Sequence, residues 1–243
     1  MTGTFYASGA GDALVEPGRY PPAVRAFLAE EEAYIARTLR SFDVLVEVGS
    51  MDGLHLDLAR RMGKSYLGID PVERYVAAGR LRGAQVATPG AARFIVGCSE
   101  ELPRIMGLAE AIALGSPLVV FPFNSVGNMA SLEAVATALV TAGAAFSLMT
   151  YATTVAATTA REAYYCACNY PGLARLDDPR GVRFCSPSGL DTIAYHSEVV
   201  RHAFCAIGCD LVVGSTGEIG VVYEGLHARS AKPERRPARQ PST

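Results

Sequence analysis

Residues 44 to 70 read VLVEVGSMDGLHLDLARRMGKSYLGID, and the rest of the chain is organised around them. The run Val44 to Val48 is apolar at four positions and reads as a buried strand. Gly49 and Gly53 then let the backbone turn sharply and pass close to a ligand. The spacing of Leu54, Leu58 and Met62 predicts an amphipathic helix that starts at once, and Tyr66 to Ile69 predicts a second strand ending in Asp70. This is half of a nucleotide-binding βαβ unit. In such a unit the ligand lies beyond the carboxyl ends of the strands, and an acid about 20 residues after the glycine turn accepts hydrogen bonds from a ribose diol. Asp70 has that place.

The turn Glu47-Val-Gly49-Ser50-Met51-Asp-Gly53 lacks the G-x-G-x-x-G spacing that lays amides on a pyrophosphate, which disfavours a dinucleotide. An acid at the end of the first strand repels a diphosphate and suits a cationic amine. S-adenosylmethionine (SAM), with an ammonium, a sulfonium and a ribose, meets both Glu47 and Asp70. On these residues the chain resembles the class I SAM-dependent methyltransferases, whose first motif is an acid followed by glycines, with a second acid ending the next strand. Met51 stands where that pattern has its middle glycine. The resemblance implies a three-layer, Rossmann-like α/β fold, with a seven-stranded sheet whose last strand is antiparallel. It also implies SAM as co-substrate, held by Glu47, Gly49, Ser50, Gly53, Asp70 and Pro71. A plainer alternative is an ordinary βαβ turn with two solvated acids.

The composition, half apolar and 19% charged over 243 residues, is that of one globular domain with elaborations. Formal net charge is −2, but the last fifteen residues carry five Lys or Arg against one Glu, which leaves residues 1–228 at −6. An acidic body argues against nucleic acid as a partner. The basic, proline-bearing end 229–243 reads as a disordered tail. The uncharged span Ala134 to Ala160 is long enough to cross a membrane, but it is rich in Ala and Thr and a strand-like segment, Ala145 to Tyr151, interrupts it, so it reads as buried core. Six cysteines without a C-x-x-C pair or histidines at zinc-ligand spacing predict reduced thiols, a cytoplasmic location and no metal.

Residues 1–21 show no period; they order over the site as a lid or fray. Residues 22–228 form the predicted SAM-binding domain. A helix from Pro22 carries Val24, Phe27, Leu28, Tyr34, Ile35 and Leu39 in a stripe broken by Glu31, and serves as a cover for the cofactor or as a packed flank. After the third strand, Arg93 to Gly97, the resemblance places an adenine-reading group near Cys98 and Ser99, whose backbone groups, or Glu100, would have to serve; a helix start with Ser99 as N-cap is the alternative. A fourth strand, Pro117 to Phe123, runs into Asn124-Ser-Val-Gly-Asn128. The aromatic Phe123 and the amides of Asn124 and Asn128 lie where the transferable group sits in this fold, and either amide could instead cap the helix expected from Met129. Tyr164 and Tyr165 fall on a helix from about Thr154 to Tyr170, about 100° apart, so one is expected in the core and the other against the sulfonium by cation–π attraction. A hairpin over about 181–196 is expected to shape an acceptor pocket. A helix from Ser197 to Gly208 and two closing strands, Leu211 to Val213 and Ile219 to Tyr223, end the fold.

Methyl transfer from SAM is an in-line displacement in which alignment and exclusion of water do most of the work. His196, His202 and His55 are the candidate bases, His196 foremost because it ends the hairpin. Three functions follow. The first is a methyltransferase acting on N or O of a small molecule in specialised metabolism, with a small-molecule substrate, no nucleic acid, no membrane, and a second copy in a homodimer as its expected partners. The second is a SAM cyclase, in which the amine attacks its own Cγ and releases methylthioadenosine. Phe123, Asn128, Tyr164 and Tyr165 resemble the aromatic-and-amide pocket of azetidine-2-carboxylate synthases. The third is an NAD-binding or SAM-sensing module.

Overall fold

The structure is a computed structural model, and it describes residues 2–85, 91–108, 111 and 113–225. The expected tail 229–243 lies outside the described residues. Strands β1 (Val44–Val48), β2 (Ser65–Asp70), β3 (Ala92–Val96), β4 (Pro117–Phe121), β5 (Ala145–Tyr151), β9 (Val212–Thr216) and β10 (Gly220–Gly225) form one seven-stranded sheet. Its order is β3-β2-β1-β4-β5-β10-β9, with β1 to β5 parallel and β10 antiparallel to both neighbours. The strand order reverses between β1 and β4, which opens a crevice at their carboxyl ends.

Alternation along β1 assigns the two faces of the sheet. Val44, Val46 and Val48 pack with helices α5 (Leu102–Met106), α6 (Leu132–Ala142) and α8 (Ser197–Cys205). Leu45 packs on the opposite face with α2 (Pro22–Thr38), α3 (Leu56–Arg61) and α4 (Glu73–Ala84). The result is a three-layer α/β sandwich. Helix α2 begins with proline in its first turn, where the missing N–H costs nothing. Its buried line is Val24, Phe27, Glu31 and Ile35, so the glutamate that breaks the stripe in sequence is carried inside. No helix among the described residues is long and apolar enough to cross a membrane.

Helix α3 starts later than its periodicity suggested. Met51 and Gly53, at φ 48° and 103°, hold the preceding residues in turns, so the helix buries Leu56, Leu58 and Ala59 while Leu54 stays exposed. The loop after β4 also differs from expectation. Phe123 and Asn124 take left-handed backbone, at φ 49° and 57°, and end the strand at Phe121. A short 3-10 turn, Ser125–Asn128, follows, and α6 is capped by Ser131, whose hydroxyl accepts the Ala134 N–H at 3.2 Å. Asparagine therefore does not cap this helix. Helix α7 (Val155–Ala167) is capped by Thr154 and ends before the left-handed Asn169.

The expected hairpin is part of a second sheet of three antiparallel strands, β6 (Ala174–Asp178), β7 (Gly181–Cys185) and β8 (Asp191–Tyr195). Strand β6 was not legible because its side chains are almost all exposed and give no apolar alternation. The N-terminal residues form α1 (Thr2–Ala7) and two 3-10 turns through Arg19. Long-range contacts order this segment: the Tyr170 hydroxyl donates to the Ala10 carbonyl at 3.0 Å, the Tyr164 hydroxyl donates to the Leu14 carbonyl, and Arg74 pairs with Asp12.

The small sheet docks on the loop after β4 at Gly127, where an added Cβ would run into the Ile193 backbone carbonyl of β8. Neither backbone can yield without moving the sheet. Gly127→Ala is expected to cost about 3 kcal/mol, the upper end of ordinary overpacking. Urea denaturation should show a lower midpoint with an unchanged slope.

Candidate functional site

A cleft opens at the carboxyl ends of β1, β2, β4 and β5. Its lining includes Val48, Gly49, Met51, Asp70, Pro71, Val72, Cys98, Ser99, Phe123, Asn124, Asn128, Tyr151, Tyr164 and Tyr165. Tyr6, Leu14 and Val15 of the N-terminal segment line it too. Of the fourteen residues proposed from sequence, ten lie on this cleft: Gly49, Asp70, Pro71, Cys98, Ser99, Phe123, Asn124, Asn128, Tyr164 and Tyr165. Glu47, Ser50, Gly53 and His196 do not.

Asp70 ends β2 and is 4% exposed. Its Oδ1 accepts the Val72 N–H at 2.8 Å and its Oδ2 accepts the Met51 N–H at 2.9 Å. Burial pushes its pKa up, opposed by these two amides. A carboxylate has about four lone-pair sites, so two remain for hydroxyl donors. Gly49, at φ 76°, supplies the bend that brings its backbone to the cleft.

Glu47 faces away from the ligand side. It shares the strand face of Leu45, is wholly buried, and is engaged there by three groups from β2 and the start of α3. Its Oε2 accepts the His55 N–H at 3.1 Å and the Tyr66 hydroxyl, and its Oε1 lies 2.6 Å from His55 Nδ1. The expectation that Glu47 meets an amine directly is thus corrected: it braces the glycine loop from behind. Ser50 is also buried, with its hydroxyl against the Met51 carbonyl at 3.4 Å, and Gly53 turns the chain under Phe94.

The amide of Asn124 is likewise spent within the protein. Its Nδ2 donates to Thr192 Oγ1 at 3.2 Å and to the Ile193 carbonyl at 3.1 Å, and its Oδ1 accepts from Thr150. It staples β5 and β8 to the loop that carries Phe123. Asn128 lines the cleft half-buried. At the other end, Cys98 rather than Ser99 caps its short helix, with Glu101 Oε2 accepting the Cys98 N–H at 3.0 Å.

Phe123, Tyr164 and Tyr165 make an aromatic wall. Ring centroids are 5.7 Å apart for Phe123 and Tyr164, and 5.1 Å for Tyr164 and Tyr165. Both tyrosines are buried and both line the cleft, so neither is set aside for the core as adjacent helix positions suggested. Tyr20 closes on this wall at 5.7 Å from Phe123. Such ring faces attract a cation.

None of the three candidate bases lies on the cleft. His196 turns its Nδ1 to Thr153 Oγ1 at 3.0 Å, in a separate pocket with Arg175 and Asp177. His202 is exposed on α8. His55 is buried behind the glycine loop; burial opposes its charged form, but Glu47 and Glu31 outweigh that and its pKa is raised.

Two groups were missed from sequence. Arg161 of α7 is fully buried, donates from Nη1 to the Val182 carbonyl at 2.9 Å, and stands over the Tyr151 and Phe184 rings at 5.4 and 5.0 Å. Glu31 of α2 is fully buried and its Oε2 accepts the Phe123 N–H at 2.8 Å. An acid inside an apolar helix stripe was the available signal.

No protein-family model matches the chain, and no curated protein matches it. Solved structures do. Magnesium protoporphyrin IX methyltransferase from Synechocystis with bound S-adenosylhomocysteine is 12% identical, with a TM-score of 0.58 over 93% of this chain and 97% of that one. A protein of Pyrococcus horikoshii gives 13% identity and a TM-score of 0.57 over 88% and 96%. The 1,6-didemethyltoxoflavin-N1-methyltransferase of Burkholderia thailandensis, solved with its substrate and S-adenosylhomocysteine, gives 12% and 0.53 over 91% and 83%. The chain has the class I methyltransferase fold, with the seven-stranded sheet and single antiparallel strand expected from its sequence.

Burial raises the Glu31 pKa from 4.5 to about 7, against the lowering effects of His55 and the Phe123 amide. Between those values the folded state keeps a proton that the unfolded state has released. The resulting stability is fully present below about 4.5 and is lost as pH rises through about 7. Glu31→Gln keeps an acceptor for the Phe123 amide and removes this titration. Thermal unfolding should show the variant gaining on the order of 1–3 kcal/mol over the parent on going from pH 5 to pH 8.

Proposed function

We propose that this chain is a SAM-dependent enzyme that transfers a carbon from the sulfonium within the cleft, as a methyltransferase acting on N or O of a small molecule. The observation that carries this is the pairing of Asp70, with two free lone-pair sites beyond the glycine bend, and the aromatic wall of Phe123 and Tyr164 on the same cleft. Asp70 suits the ribose hydroxyls, the loop at Cys98 and Ser99 suits the adenine, and the ring faces suit the sulfonium. When the carbon leaves, the sulfur becomes a neutral thioether and its attraction to the rings falls, which favours release of the product. Where the similar solved structures name a substrate, magnesium protoporphyrin IX or 1,6-didemethyltoxoflavin, it is a small molecule. The charge of residues 1–228 weighs against nucleic acid.

One observation favours a second reading, cyclisation of SAM itself. The histidines expected to serve an external acceptor are all off the cleft, and the N-terminal segment, acting as a lid, narrows the space for one. In that reaction the α-ammonium first gives up one proton to solvent and the neutral amine attacks its own Cγ. The N–Cγ bond forms, the Cγ–S electrons pass to sulfur, and azetidine-2-carboxylate, its ring nitrogen still carrying two protons, leaves with methylthioadenosine.

Incubation of the purified protein with SAM alone, read by mass spectrometry, separates the two. Methylthioadenosine without an added acceptor is the cyclisation result, and S-adenosylhomocysteine formed only with an added amine or phenol is the methyl-transfer result. No SAM binding by calorimetry would overturn both. Asp70→Ala should weaken SAM binding by about 1.5–3 kcal/mol, the value of a charge-assisted hydrogen bond, and unchanged affinity would contradict the ribose assignment.

A further inference from the structure

Glu47 is the acid that the glycine-turn motif offers to a ligand amine, and here it is turned away from the cleft and held by His55 and Tyr66. Another buried carboxylate stands nearer the aromatic wall. Glu31 reaches Phe123 from α2, and its Oε2 is fixed on the Phe123 amide at 2.8 Å. Its Oε1 is buried without a hydrogen-bond partner, and the nearest cation, His55 Nε2, is 3.9 Å away, beyond hydrogen-bonding range. Tyr151, at the end of β5, lines the cleft beside Phe123, with ring centroids 6.3 Å apart. Its hydroxyl is also buried without a partner. Phe27, one turn before Glu31 on α2, packs on the Tyr151 ring at 4.9 Å, and the Glu31 carboxyl is close enough to act electrostatically on the Tyr151 hydroxyl, so the two orphaned groups are neighbours beside Phe123. Two buried acceptors left unmade are costly, and a donor with several N–H groups and a positive charge satisfies both.

We propose that Glu31 Oε1, together with the Tyr151 hydroxyl, receives the α-ammonium of the sulfonium nucleoside; this rests on the SAM reading above. The ammonium donates one N–H to each oxygen, and Glu31 binds it as a carboxylate. The role gives a use to an acid that occupies a helix face built for apolar residues. It also places the amine next to Phe123, whose N–H the same carboxylate holds.

The test compares two ligands that lack the sulfonium and differ at the amino-acid end: S-adenosylhomocysteine carries the ammonium and methylthioadenosine does not. Titration calorimetry on the full chain should show Glu31→Gln weakening S-adenosylhomocysteine roughly tenfold or more, while methylthioadenosine stays within about twofold of the parent. Tyr151→Phe, which keeps the ring, should weaken S-adenosylhomocysteine alone by about threefold, and serves if the glutamine variant does not fold. Equal weakening of both ligands, or unchanged binding of S-adenosylhomocysteine, overturns the proposal. A parent protein that binds neither ligand overturns the SAM reading beneath it, a result distinct from the other two.

Discussion

The site depends on one buried carboxylate that never reaches it. Glu47 ends the first strand on the face turned towards the helices, where the Tyr66 hydroxyl from β2 and two groups of His55 from the start of α3 converge on it. Taking a charge out of water costs several kcal/mol unless its lone pairs are filled, and here hydrogen bonds from two elements fill them. The effect is mechanical. Strand β1, strand β2 and the first turn of α3 are clamped together, and the chain between them has to cross the gap in left-handed turns at Gly49, Met51 and Gly53. Those turns bring the backbone to the cleft and hand the Met51 amide to Asp70.

From that clamp the rest of the cleft follows by layers. Asp70 is oriented by two amides, and the residues after it, Pro71 and Val72, continue the wall. Across the crevice the loop after β4 is held in strained left-handed backbone by Asn124, which ties it to β5 and to the small sheet, and by Glu31, which takes the amide of Phe123. The aromatic wall is fixed from above by the N-terminal segment, whose carbonyls accept the Tyr164 and Tyr170 hydroxyls. On this surface Asp70 keeps two lone-pair sites, and the hydroxyls of Ser125 and Tyr151 have no partner among the described residues.

The strand positions and the glycine bend were legible because they rest on local periodicity and on turn chemistry that only certain residues satisfy, whereas the seven-stranded sheet with its last strand reversed came from the family resemblance. Asp70 was legible by its distance along the chain from that bend. The direction of Glu47 was not drawn out, although alternation along Val44 to Val48 carries it: Glu47 falls on the face of Leu45, opposite Val48, which lines the cleft. His196 misled because closeness to the hairpin in sequence is not closeness to the cleft, and its imidazole is turned to Thr153. The order of residues 5 to 20 was invisible for a different reason. It arises from contacts more than a hundred residues away, such as Leu14 with Tyr164, and leaves no period in the segment itself. Glu31 was visible as an interruption in an apolar stripe, and its burial gives that interruption a meaning.

The most direct measurement is a crystal structure of the chain grown with S-adenosylhomocysteine. The account predicts the nucleoside in the cleft, with its ribose hydroxyls on the Asp70 carboxylate, its adenine beside Cys98 and Ser99, and its sulfur facing Phe123 and Tyr164. A nucleoside bound anywhere else, or a cleft in which Asp70 keeps only its two backbone amides while the ligand saturates another surface, would contradict it.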